Sequence, residues 1–243
     1  MDNYIIRLKK LIDKSNRIVA FTGAGFSAES GISTFRGAGG LWSKYDPSIY
    51  ADINFFNQDP TYYWRFFKEE RYPTIKKAKP NEGHYALVKL QNKGKIYRVI
   101  TQNIDGLHQI AGQKDVIEIH GNTREIFCMS CDKKYSIDEI YEKLKKELPP
   151  RCSCGGVLKT NTVLFGEPLP QNELDMSKIA ARNCDLFLVL GSSLVVYPAA
   201  SIPLIAKKNK AYLVIINIDP TPLDDIADIV IHKSTTEVLP KVV

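Results

Sequence analysis

The sequence predicts an α/β protein: an open parallel sheet of Rossmann type that carries one small inserted module. Three observations lead there. The runs RIVAF, IYRVIT, DLFLVL and AYLVII are rich in Val and Ile, too short for helices that must bury themselves, and end in small or polar residues. Stretches with apolar residues three and four apart alternate with these runs, the pattern of βαβ units. Between Arg124 and Leu164 the alternation stops, and four of the five cysteines fall there as two close pairs.

Taken in order, Asn3 to Lys14 sets Ile5, Leu8, Leu11 and Ile12 at helical spacing, and RIVAF then runs straight into the glycines of TGAGFSAESG. Residues 38–80 are rich in aromatics, from Trp42 to Tyr72, and contain no apolar strand, so helices and a mobile lid over one end of the sheet are expected. NEGHYALVKLQNKG reads as a helix capped by Asn81 and closed at Gly94, followed by the strand IYRVIT and a short third strand in VIEIHG. IDEIYEKLKKEL reads as a helix with Ser136 as N-cap and Pro149-Pro150 as terminator. QNELDMSKIAARN and PAASIPLIAKKN, the latter with Pro198 near its first turn, supply helices beside the last strands. The expected division is a sheet domain of 1–123 and 165–243, with 38–80 as its helical region, and an inserted module of 124–164.

Composition narrows the function classes. With 243 residues, 44% of them hydrophobic, and 33 Lys+Arg against 27 Asp+Glu, the chain has a substantial core and is neither disordered, collagenous nor coiled coil. No apolar run approaches the roughly 20 residues of a membrane span, and MDNYIIRLKK has no signal-peptide core, so a soluble cytoplasmic chain is expected. The net charge of +6 is mild and predicts a solvated basic surface without a specific nucleic-acid site.

Four constellations carry chemistry. TGAGFSAESG places small residues where a strand turns into a helix, a setting in which main-chain N–H groups can hold a pyrophosphate, although a Gly-x-Gly without a third glycine also serves as a tight turn. Phe35-Arg36-Gly37 adds a cation at the mouth of the same loop. Thr101-Gln102-Asn103-Ile104-Asp105-Gly106 crowds amides and a carboxylate at the carboxyl end of a parallel strand, where open α/β sheets bind ligands. His120 follows VIEI and is the natural general base if it shares a cleft with both loops. Cys128-x-x-Cys131 and Cys152-x-Cys154 have the spacing of a closed, structural zinc site, whereas Cys184 stands alone before a buried strand as a small core residue.

Together GAGFSAESGISTFRG, TQNIDGLH, IHG, the cysteine pairs, VLFGEPLP, GSSLVVYPAA and IINID resemble the sirtuin family of NAD-dependent protein deacylases, in the family's order from Gly23 to Asp219. The resemblance implies NAD as co-substrate, structural zinc, and acetyl-lysine proteins or peptides as partners, with no membrane. It implies removal of acetyl or other neutral acyl groups from lysine, giving nicotinamide, free lysine and O-acetyl-ADP-ribose. It assigns NAD contacts to Gly23, Ala24, Gly25, Ser27, Phe35, Arg36, Gln102, Asn103, Ile104 and Asp105, with Asp105 holding the nicotinamide carboxamide. Further NAD contacts fall on Gly191, Ser192 and Ser193, and on Asn217, Asp219 and Thr235 at the adenosine end. His120 matches the family's catalytic base, and Asn103 its residue for a reaction-poised water or hydroxyl. A peptide strand would lie between Val163, Phe165, Gly166 and Glu167 on one side and Leu194, Val195 and Val196 on the other. Cys128, Cys131, Cys152 and Cys154 would hold the zinc, although the second pair is one residue tighter than is usual in the family. The competing readings are a mono-ADP-ribosyltransferase on the same NAD cleft and a non-catalytic NAD-binding or zinc-binding module.

The acyl group receives its own expectation. Relatives that prefer succinyl or malonyl lysine carry a Tyr and, three residues later, an Arg on the helix after the cofactor loop. Alignment on Trp64 sets Phe67 and Glu70 there, which disfavours a carboxylate on the acyl chain. A shift of one residue sets Lys68 and Arg71 there instead.

Overall fold

The computed structural model describes residues 3–37 and 39–243. Met1, Asp2 and Ala38, which the expected boundaries at 1 and 38 include, lie outside the described residues. The strands are β1 (Ile18–Thr22), β2 (Ile96–Thr101), β3 (Val116–Glu118), β4 (Gly121–Cys128), β5 (Lys134–Ser136), β6 (Leu158–Thr162), β7 (Leu186–Leu190), β8 (Tyr212–Ile216) and β9 (Ile229–Ile231). Six of them form a parallel sheet in the order β3-β2-β1-β7-β8-β9. The chain builds outward from β1 in one direction, then returns to lay β7 against β1, with Ile18 opposite Leu186 and Thr22 opposite Leu190. That reversal opens a crevice at the carboxyl ends of β1 and β7, the place where such sheets take ligands.

Alternate side chains face opposite layers. Ile18, Ala20, Leu188 and Val214 pack on the helices Asn3–Lys14, Glu82–Asn92 and Thr235–Val242. Val19, Phe21, Phe187 and Ile215 pack on Gln171–Arg182 and Ile202–Lys208, and Cys184 is buried in this layer. Asn81 caps its helix in a reciprocal box with His84. Among the described residues no helix is long and apolar enough to cross a membrane.

β4, β5 and β6 form a separate antiparallel sheet in the order β5-β4-β6, with Cys128 opposite Leu158. The helix Ile137–Leu144 has the expected Ser136 cap, with Glu139 closing the box, but it ends well before Pro149. Leu144 is its last fully buried residue, and Leu148 still packs on the same core from the irregular stretch that follows.

The aromatic segment differs from the lid expected of it. Phe56, Tyr63, Trp64, Phe67 and Tyr72 are buried in one core with Ile126, Ile140, Leu158 and Leu164, and the indole N–H of Trp64 donates to the carbonyl of Leu158 at 2.8 Å. A three-stranded sheet with one short helix buries too little apolar surface to hold itself, so the aromatic segment completes its core.

Candidate active site

β1 and β7 end side by side, and the two loops that follow lock onto each other. The N–H of Gly25 donates to the carbonyl of Gly191 at 2.8 Å. Gly191 has φ +62, and a Cβ there would sit 2.2 Å from the nitrogen of Phe26, so only glycine fits this contact. The main-chain N–H groups of Ala24, Ser192 and Ser193 make no hydrogen bond among the described residues. They open on a cavity of about 360 Å³ lined by Gly23, Ala24, Gly25, Gly191, Ser192 and Ser193, with Gln102, Asn103 and His120 at one end and Asn217, Asp219 and Thr235 at the other. Unpaired N–H donors, small residues and Arg36 in one wall suit the pyrophosphate and ribose groups of NAD.

A second, largely apolar cavity of about 210 Å³ adjoins it, walled by Val163, Phe165, Gly166 and Glu167 together with Tyr63 and Phe67. Phe35, Arg36, Gln102, His120 and Val196 line both cavities, so His120 stands at their junction. β3 stops at Glu118, and Ile119 continues it only through a bond from its N–H to the carbonyl of Thr101 at 3.0 Å. Gly121, with φ +71 and its would-be Cβ only 1.9 Å from the carbonyl oxygen of Asn161, then lets the chain cross to the second sheet.

The ring of His120 is held on one side. Its Nδ1 lies 3.1 Å from the carbonyl oxygen of Gln102, an acceptor only, so Nδ1 carries the proton and Nε2 keeps its lone pair. Nε2 has no partner among the described residues. Burial pulls this imidazole below its ordinary 6.5, while the Gln102 carbonyl pulls the other way, so the ring is neutral and ready to accept a proton near pH 7. The Asn103 amide donates to the carbonyl of Gly23 at 2.9 Å and to the Ser27 hydroxyl at 3.0 Å, which leaves its side-chain oxygen without a protein donor.

One expected contact, the backbone of Phe165, is corrected, and three others are placed away from the cavity linings. Asp105 and Ser27 lie behind the cavity wall: one carboxylate oxygen accepts the Leu107 N–H at 2.8 Å and the other the Ser27 hydroxyl at 2.8 Å. Burial pushes Asp105 above the usual carboxylate range, against the pull of Leu107, Ser27 and Arg71. Through these two bonds the carboxylate braces the loop. Phe165 has its N–H bonded to Ala51 at 2.8 Å and its carbonyl to Ile53 at 3.0 Å, so it contributes its ring to the wall, not its backbone to a peptide. Leu194 turns its side chain into the core. The backbone groups of Gly166 and Val195 make no hydrogen bond among the described residues and are free to pair a chain.

The expected acyl register is also corrected. Phe67–Arg71 is one turn of π-helix, in which the N–H of Tyr72 reaches back five residues to the carbonyl of Phe67. This wider turn brings Phe67 and Arg71 together to the apolar cavity, where a regular turn would bring Phe67 and Glu70. Glu70 points elsewhere and accepts the Tyr45 hydroxyl at 2.7 Å. Arg71 is 6% exposed, lies 4.7 Å from the centre of the Phe35 ring, and makes no hydrogen bond or ion pair with the described residues. Burial lowers it to about 10, so it stays charged at neutral pH. Lys233, in the wall of the larger cavity, was missed because no motif surrounds it.

The four cysteines Cys128, Cys131, Cys152 and Cys154 converge, with all Sγ atoms within 4.8 Å of one another. Separations of 3.5 Å (Cys128 to Cys154), 3.7 Å (Cys131 to Cys152) and 3.4 Å (Cys131 to Cys154) are close to the roughly 3.8 Å edge of a tetrahedron with Zn–S about 2.3 Å. The tight Cys-x-Cys pair is accommodated by Gly155, with φ +86, and Gly156, whose carbonyl takes the Cys152 N–H at 2.9 Å. The Tyr135 hydroxyl lies 3.0 Å from the Cys152 sulfur, beside the cluster.

A cavity for a dinucleotide, an adjoining apolar cavity and a histidine base between them, on a Rossmann sheet with a four-cysteine module, define an NAD-dependent acyl-transfer enzyme. Residues 23–198 match the Sir2 family, and the chain belongs to it. It is 49% identical over 234 residues to a protein of Sulfurisphaera tokodaii named NAD-dependent protein deacetylase, covering 96% of this chain and 92% of that one. It is 47% identical over 245 residues to NAD-dependent protein deacylase 2 of Archaeoglobus fulgidus, covering 100% and 96%. It matches, with a TM-score of 0.95 and 44% identity over 98% of this chain and 96% of the other, a histidine-to-alanine Sir2 variant solved with a deacetylated p53 peptide and 3'-O-acetyl-ADP-ribose.

Proposed function

We propose that this chain removes acetyl groups from protein lysine side chains with NAD as co-substrate, releasing nicotinamide, free lysine and O-acetyl-ADP-ribose. The carrying observation is His120, placed where the two cavities meet with Nε2 unpartnered. Bound NAD supplies a ribose carbon bearing a positively charged leaving group, to which the acyl oxygen can be transferred without redox chemistry. The glycine and serine loops, Arg36 and the Asn217 to Thr235 side would hold it. The apolar cavity would hold the acyl-lysine, with Phe35 and Phe165 excluding water from the junction. His120 accepts a ribose hydroxyl proton at Nε2, and the Gln102 carbonyl steadies the imidazolium that results. Zinc on the four cysteines would hold the second sheet together. Free thiols gathered at zinc-ligand spacing suit a reducing compartment, the cytoplasm.

Nicotinamide release from NAD with an acetyl-lysine peptide, without it, and with an unacetylated acceptor tests this reading. Release only with the acetylated peptide supports it, and release with the unacetylated acceptor indicates ADP-ribosyl transfer. One observation favours a wider acyl range: Arg71, with the Tyr63 and Thr162 hydroxyls, ends the apolar cavity in donors. A carboxylate at the end of the acyl chain would find a cation there instead of the carboxylate of Glu70.

A further inference from the structure

The inserted module and the substrate site are joined by an ion pair whose ammonium is buried and whose carboxylate is partly exposed. Lys159 lies on β6, opposite Phe127 and one residue beyond the Cys128–Leu158 pair, and its side chain is 3% exposed. Its ammonium donates to the Glu167 carboxylate at 2.9 Å and to the carbonyl of Thr162 at 2.6 Å. The same Glu167 oxygen accepts the N–H of Leu164 at 2.7 Å, and the N–H of Glu167 returns to the carbonyl of Leu164 at 3.1 Å. Residues 164–167 therefore form a closed turn whose shape is set from inside by Lys159. Gly166, with φ +86, stands at its tip with both backbone groups unpaired, and just before the turn Val163 donates to the carbonyl of His120 at 2.9 Å.

A buried ammonium is costly to desolvate, and an apolar pair of equal volume is often as stable, so stability alone is a weak reason for this arrangement. What an apolar pair could not do is tie one point of β6 to both the Thr162 carbonyl and the turn with directional bonds. We infer that Lys159 is a positioning residue for the substrate: through Glu167 it sets the turn whose Gly166 backbone pairs the incoming peptide, and so carries the order of the four-cysteine module to the substrate site. This rests on the reading that an acyl-lysine peptide lies on that turn.

The test measures affinities separately from turnover in the zinc-loaded full chain. Fluorescence anisotropy reports binding of a labelled acetyl-lysine peptide, and calorimetry reports binding of NAD. For Lys159→Met, peptide affinity is expected to fall at least tenfold, with NAD affinity within twofold of the unsubstituted chain and one zinc retained; Lys159→Arg should recover peptide affinity to within threefold. If Lys159→Met does not fold, Glu167→Met removes the acceptor of the same clamp with little change of volume and should show the same peptide-selective loss. Unchanged peptide affinity overturns the inference, and so does a parallel fall in peptide and NAD affinity with loss of zinc, the mark of a general structural role. Failure of the deacetylase reading shows differently, as no acetyl removal by the unsubstituted chain while its peptide binding still responds to Lys159→Met.

Discussion

His120 and Gln102 are paired through the imidazole Nδ1 and the main-chain oxygen, 3.1 Å apart, so that the ring's only free nitrogen faces the junction of the two cavities. The bond selects a tautomer as well as an orientation, because a carbonyl can meet only a protonated nitrogen. It also accounts for the placing of the TQNID run: the loop that walls the dinucleotide cavity supplies the acceptor that aims the base.

Replacing His120 by Ala should lower kcat/KM by about 10² to 10⁴, the range of a lost general base, while NAD affinity changes little. Burial holds this imidazole below 6.5, and its working form is the neutral one. The kcat/KM profile should therefore be flat at neutral pH and fall on acidification, with its midpoint below pH 6.5. Steady-state kinetics from pH 5 to 8 checks both statements, and a midpoint above 7 contradicts the assignment.

One zinc per chain is expected. Cys152→Ser together with Cys154→Ser should abolish it, and Cys184→Ser should retain it, since Cys184 is buried in the sheet domain with its thiol donating to the Ala181 carbonyl. Chelation should loosen the second sheet first, because a site this small draws much of its folding free energy from metal binding. Elemental analysis and proteolysis around residues 124–164 decide the point.

His84 and His108 predict acid lability. His84 is buried and burial pulls it down to about 4, and His108 is pulled well below its ordinary value by burial and by His84. The unfolded chain takes up these protons near pH 6.5, before the folded one can, so stability is fully present above about 6.5 and is lost as pH falls toward 4. The His84 shift alone amounts to roughly 3 kcal/mol. Denaturant midpoints measured at pH 7 and pH 5 should differ accordingly, and His84→Gln should reduce that difference if the variant folds.

Arg71→Met should lower the ratio of kcat/KM for succinyl over acetyl forms of one peptide by at least tenfold, since a charge-assisted hydrogen bond contributes about 1.5 to 3 kcal/mol. An unchanged ratio would place Arg71 with Phe35 as packing and leave the cavity without a charge preference.

Much of the architecture was legible in the sequence because the information is local. Strands buried on both faces must be apolar throughout, so IVAFT, LFLVL and YLVII announce themselves, and Asn81 and Ser136 mark helix starts through hydrogen bonds to the next few residues. The two cysteine pairs declare a ligand set by spacing alone. What only the tertiary structure decided depends on contacts between distant segments. The π-turn that brings Arg71 to the cavity in place of Glu70 is a one-residue change of helical phase, invisible to an alignment on Trp64. Asp105 is a carboxylate at the expected strand end whose bonds to Ser27 and Leu107 only the folded chain reveals, and Phe165 spends its backbone on Ala51 and Ile53. The sequence by itself determined which residues carry chemistry and which strands form the floor beneath them. Three-dimensional packing determined which of those groups remain free to use it, because a hydrogen bond already made within the protein removes that donor or acceptor from the substrate's reach.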